Sequence, residues 1–193
     1  LHQPDRLWIT PQLTGSGPDA DKAWLERLSA VLLSGVKRIQ LRPWGNAAFT
    51  DSAPHDWQAL ATKAVALCRQ HAAEVAINAD RELAQALGCG LPLKSSQLHT
   101  ALDLPAELPL SASCHTAEDL VRAQALGCRY ALLGPVAKTT SHPDTSPIGW
   151  STFFDIRGHA PSLPTYALGG MTPAHIELAR SYGAQGIATI SGL

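Results

Sequence analysis

The chain has 193 residues, 45% of them hydrophobic and 16% charged, a size and composition that support one domain with a sizeable core and lie well away from those of disordered chains. Its formal net charge of −1 comes with no run of basic residues, so the long-range field that holds a nucleic-acid backbone is missing. No apolar stretch reaches the roughly 20 residues of a membrane span and no charged-then-apolar leader opens the sequence, so a soluble, cytoplasmic protein is expected, with neither nucleic acid nor membrane as partner.

In chain order, a strand is expected at 7–10, a helix at 19–34 and a second strand at 38–42. The joint between the last two recurs. LLSGVKRIQL, QALGCGLPL, QALGCRYALL and RSYGAQGIAT each end helix-like residues on a glycine (Gly35, Gly88, Gly127, Gly183) and then open an apolar run. Glycine just past a helix takes the left-handed conformation that closes its last turn, and the run after it suits a buried parallel strand. A helix at 57–71, a strand at 75–78, a helix at 81–87 and a strand at 90–93 follow, after which SSQLHTALDLPAE leaves room only for a short helical turn. The fifth strand, 110–113, leads to a helix at 117–126 opened by Thr116 with Asp119; the sixth, 130–133, to a helix at 150–159. The seventh, 165–168, leads to a helix at 173–182 opened by Thr172 with His175, Pro173 standing at its first position, and the eighth is 186–190. Eight strands with interleaved helices favour a (β/α)8 TIM barrel, an α/β fold, over a flavodoxin-like open sheet. No helix follows the eighth strand, so the last outer helix is expected to be missing from the chain. The start at Leu1 instead of a methionine points to a processed chain or an excised domain. Cys68, Cys89, Cys114 and Cys128 contain no C-x-x-C pair and read as small core residues, not as zinc ligands or a disulfide framework.

In such a barrel the active face lies at the C-terminal strand ends, and a phosphate commonly sits at the loops after the seventh and eighth strands. Gly169-Gly170-Met171-Thr172 and Ser191-Gly192 stand there. Bare amides at a glycine pair that opens a helix can hold a phosphate dianion, although a glycine pair by itself also makes a tight turn. Gln40 and Arg42, two residues apart, share one face of the second strand. An arginine at a barrel mouth needs an anion, either a ligand or a barrel carboxylate. Asn78 ends the third strand. Ser113 and His115 end the fifth and are the candidate catalytic residues, His115 as general acid or base; helix capping for Ser113 and Thr116, and a structural hydrogen bond for His115, stand against that reading. Trp8, Trp24, Trp57 and Trp150 read as packing residues, whereas Trp44 either covers a ring or closes its loop. The remaining histidines form no metal-ligand spacing.

Together, GVKRIQLR, INADRELAQALG, SASCHTAEDLVRAQALGCRYALLGPV, YALGGMTP and GAQGIATISG resemble the thiamine-phosphate synthase and thiazole tautomerase superfamily of barrels, in the family's order and over essentially the whole chain. Synthases of this kind join a pyrimidine diphosphate to a thiazole phosphate, with magnesium neutralising the pyrophosphate that leaves. The resemblance implies a small phosphorylated ligand, with phosphate bound at Gly169, Gly170, Ile190 and Ser191. It places Thr139, Thr140, Ser141 and His142 where synthases grip the pyrophosphate with T-x-T-K.

The departures from the synthase pattern fall on charged positions. Trp44 replaces a lysine, Ala79 replaces the first magnesium aspartate with Asp80 one residue later, and Gln97 falls at the second. The sequence TTSH lacks the loop lysine, with Lys138 nearby, and Pro135 occupies the place of the tautomerase histidine. A hard cation without carboxylates is poorly held. The resemblance therefore implies a binding barrel with degenerate catalytic residues and no assigned cofactor. An alternative is an active synthase with a rearranged magnesium site that includes Asp80. Ser141-His142-Pro143 and Ala167-Leu168-Gly169-Gly170-Met171-Thr172-Pro173 resemble most the barrels fused behind Nudix (MutT-type) hydrolases. A covalently linked Nudix domain is then an expected partner, and a regulatory or interaction role for the barrel is the third alternative. The glutamate-rich Nudix helix itself is absent from these residues, and homo-oligomerisation is left open.

Overall fold

The computed structural model describes residues 3–13, 17–42, 56–100, 107–139 and 145–193. Eight strands run through them: β1 (Arg6–Ile9), β2 (Arg38–Leu41), β3 (Glu74–Ile77), β4 (Leu91–Leu93), β5 (Leu110–Cys114), β6 (Tyr130–Leu133), β7 (Thr165–Leu168) and β8 (Gly186–Thr189). All the pairings are parallel, in the order β3-β2-β1-β8-β7-β6-β5-β4. A single bridge between Ala76 and Gly90 closes the ring. Its hydrogen bonds, Ile77 N to Gly90 O and Gly90 N to Val75 O, are both 2.9 Å. The helices α1 (Pro18–Leu33), α2 (Trp57–Gln70), α3 (Arg81–Ala86), α4 (Ser95–Leu98), α5 (Ala117–Ala125), α6 (Gly149–Gly158) and α7 (Ile176–Ser181) lie between the strands. This is the barrel expected from the alternating sequence, and no helix follows β8 among the described residues.

The local signals act as their chemistry requires. Gly35, Gly88, Gly127 and Gly183 all have positive φ, from 59° to 91°, and each turns a helix into the next strand. Thr116 Oγ1 accepts from Asp119 N at 3.1 Å while Asp119 Oδ2 accepts from Thr116 N at 3.2 Å, a reciprocal cap at the start of α5. The expected helix at 173–182 divides: Pro173–His175 is a 3-10 turn that runs into α7. The His175 ring, bonded back to Thr172 N at 3.1 Å, holds that first turn tight.

Side-chain alternation along the strands separates two apolar layers. Leu7, Ile9, Tyr130, Leu132, Tyr166 and Ala188 fill the barrel, while Trp8, Ile39, Leu41, Leu133, Ala167 and Ile187 point outward into the layer shared with the helices. Trp24 and Trp57 meet edge-to-face in that outer layer at 6.2 Å, and Trp150 stacks on Tyr182, so these indoles serve packing. All four cysteines are buried free thiols. Burial pushes Cys68 up to about 12 and Cys128 up to about 11.

The floor of the barrel is polar and fully paired. Arg38, 2% exposed, donates to Glu74 Oε2 at 2.7 Å, to Tyr166 Oη at 2.6 Å and to Gln3 Oε1 at 2.7 Å, with the Tyr130 ring 4.4 Å from its guanidinium. Two pleats below Arg42, Arg38 makes a bridge to a barrel carboxylate, Glu74. Arg38 plugs this end of the barrel.

Candidate functional site

Period two carries β2 from Arg38 on the floor to Gln40 and then Arg42 at the mouth. There the C-terminal strand ends surround a cavity of about 540 Å³, whose walls include Gln40, Arg42, Asn78, Ser113, His115, Thr139, Gly169 and Ile190. Gly170 and Ser191 line an adjoining hollow of about 260 Å³ that shares Thr139, Gly169 and Ile190 with the first. The fold thus brings ten sequence-derived candidates to one end of the barrel. Thr140, Ser141 and His142, together with Trp44, lie outside the described residues.

Two polar features of this mouth lack partners among the described residues. Gln40 is 4% exposed, and its Oε1 accepts no hydrogen bond among the described residues. Such a buried orphan costs roughly 1–3 kcal/mol unless a donor arrives. The Gly170 and Ser191 N–H groups donate to no backbone carbonyl among the described residues. Burial also lowers the Arg42 pKa from its ordinary value, which fits a cation held short of water.

The glycine pair has a steric reason as well. Gly169 and Gly170 have φ of +101° and +68°, and a Cβ on either would meet the loop after β6, at 2.7 Å from Pro135 Cβ and from Lys138 O respectively. Val136 N and Ala137 N bind Leu168 O and Gly169 O across the same contact. The glycines let the two loops touch, and Gly170 lines the hollow at that contact.

His115 is oriented by its backbone neighbours. Its Nδ1 lies 2.6 Å from Gly134 O, so Nδ1–H donates there and Nε2 is the nitrogen able to exchange a proton. Asp119 accepts from His115 N at 2.8 Å and meets His99 Nε2 at 2.8 Å. Burial alone would raise the Asp119 pKa, but its bonds from His99, His115 and Thr116 outweigh that and lower it. Asp119, read in the sequence only as a cap, also ties His99 to the loop that carries His115.

The remaining acidic and amide candidates do not face the cavity. Asp80 Oδ1 accepts from Leu83 N at 2.9 Å as the N-cap of α3, and Gln97 Oε1 accepts from Lys94 N at 2.8 Å at the start of α4. Among the described residues lining the mouth there is no Asp or Glu, and the described residues contain no group of three or more His, Cys, Asp or Glu able to hold a metal ion. Lys94, Ser95 and Ser96 do line it. The signal for them in the sequence is their place just past the fourth strand, at the end of the barrel where the βα loops meet.

Comparison with known proteins agrees with this architecture. The thiamine monophosphate synthase family model matches residues 12–193. The chain belongs to that family. Among its curated relatives, a thiamine-phosphate synthase of Pasteurella multocida is 32% identical over 181 residues, covering 88% of this chain and 78% of its own length. A thiamine-phosphate synthase of Prochlorococcus marinus is 31% identical over 86% of this chain, which spans only 46% of that longer protein. A solved thiamine phosphate pyrophosphorylase from Pyrococcus furiosus superposes with a TM-score of 0.72 at 22% identity, over 97% of this chain and 86% of its own, a likeness of fold.

Proposed function

We propose that this member of the thiamine monophosphate synthase family binds a phosphorylated precursor or product of thiamine in the barrel mouth and condenses the precursors poorly or not at all. The observation that carries this reading is the make-up of the mouth: amides, hydroxyls and cations, with no carboxylate among its described walls. The phosphate sits against the Gly170 and Ser191 amides, where bare N–H groups meet negative charge. A ring bearing an amino group answers the orphan Gln40 Oε1, and Arg42 faces further negative charge from the end of β2.

Magnesium, which the synthase resemblance implies, finds no fitting set of oxygen ligands among the described residues. Asp80 Oδ1 and Gln97 Oε1 are taken up in helix caps, and neither residue lines the mouth. In this reading His115 Nε2 exchanges a proton with the bound ligand, while Asp119 is bonded to the His115 N–H of its loop. The attachment to a Nudix domain rests on sequence motifs alone, of which Ser141-His142-Pro143 lies outside the described residues.

The test is to incubate the protein with the pyrimidine diphosphate, the thiazole phosphate and magnesium. The reading expects saturable binding with little or no thiamine phosphate formed. Robust formation of thiamine phosphate would overturn the loss of metal chemistry and favour an active synthase.

A further inference from the structure

We propose that Lys94 supplies the counter-charge with which this mouth takes a diphosphate group without a divalent cation. The inference rests on the reading of the mouth as a phosphate site. Lys94 is the first residue past β4 and is exposed at the cavity wall. Gln97 Oε1 pins its backbone N–H at 2.8 Å, which fixes where the side chain starts. No ion pair or hydrogen bond engages its ammonium among the described residues, while Ser95 and Ser96 line the same wall and Arg42 and Asn78 stand at the ends of the neighbouring strands.

The choice between a lysine and a metal follows from charge and ligands. A diphosphate carries more negative charge than one guanidinium neutralises, and moving it out of water costs free energy unless cations meet it. A divalent cation brought in with it needs hard oxygen ligands from the protein, and at the two positions where the synthase resemblance looks for them Asp80 Oδ1 and Gln97 Oε1 accept from backbone N–H groups in helix caps. A lysine ammonium is a compact, well-hydrated point charge that binds phosphate from a flexible stem. Standing in solvent when the mouth is empty, Lys94 pays no burial cost until the anion arrives. Gln97 therefore serves this site indirectly, by placing the cation instead of coordinating one.

The test titrates the full chain by calorimetry with inorganic pyrophosphate in EDTA, and separately with thiamine phosphate. Pyrophosphate should bind in EDTA, and Lys94→Met should weaken it about tenfold or more, the loss of one charge-assisted hydrogen bond. Lys94→Arg should recover most of that affinity, and thiamine phosphate, held at the Gly170 and Ser191 amides, should change by less than about threefold. Arg129→Met, at the opposite end of the barrel beside Arg38, controls for overall charge and should leave both affinities unaltered. Pyrophosphate binding that requires magnesium, absence of pyrophosphate binding, or an unchanged Lys94→Met affinity would overturn the role of Lys94. If thiamine phosphate fails to bind the unmodified protein while pyrophosphate binds through Lys94, the thiamine reading fails and the lysine site stands.

Discussion

Gln40 and Asp119 show how single residues in this barrel divide between stability and function. The buried Gln40 Oε1 without a partner is a cost carried by the empty protein, so Gln40→Met should raise stability by about 1 kcal/mol while weakening thiamine phosphate binding. Paired urea denaturation and calorimetry would show the two effects together; a loss of stability would mean that Gln40 has a partner when the mouth is empty. Asp119 works in the opposite direction. Because its pKa is lowered from 3.8, its bonds stabilise the fold fully above the ordinary carboxylate pKa, and that contribution is lost as pH falls through the lower folded value. The stability difference between the protein and Asp119→Asn should therefore be largest near neutrality and shrink in acid below pH 3.8, with a difference independent of pH counting against it. The lining role of Arg42 and His115 was legible from position on a strand, whereas the His99 to Asp119 bond was not: it joins residues 20 positions apart through packing that no local pattern encodes.

Caps and glycine joints are the unit at which the sequence was most readable, because each acts over three or four residues. The joint at Gly127 is the plainest case, its φ of +74° standing in open space, so conformation alone selects glycine there. Gly169 and Gly170, which the sequence offered as an anion loop or a tight turn, also answer to a long-range contact with the loop after β6. Asp80 stands one position past Ala79, whose φ is 61°, and is turned to cap α3. Asp80→Ala should cost about 1 kcal/mol, as removal of an N-cap does, with no change in ligand affinity or in any response to magnesium. Thermal melts with and without magnesium would separate this from a metal role, in which the variant alone would lose a magnesium-dependent shift. The short α4 and the split at Pro173–His175 were harder to read because proline and side-chain bonding, not apolar period, set their lengths.

At the scale of the molecule, the alternation of strand and helix was enough to give the barrel and the end at which its βα loops meet, since strand direction alone decides that. What pattern could not give was which polar side chains face inward with partners. The floor, sealed by Arg38, Glu74, Tyr166 and Gln3, and the mouth, where Gln40 is left unpaired, use the same strand and differ by one pleat. The ring closes through a single bridge between β3 and β4, the strands whose ends carry Asn78 and Lys94 to the site. The most direct test of the whole account is a crystal structure with thiamine phosphate. The account predicts the phosphate on the Gly170 and Ser191 amides and a donor of the pyrimidine ring on Gln40 Oε1; a ligand seated elsewhere, or a mouth that stays empty at saturating concentration, would contradict it.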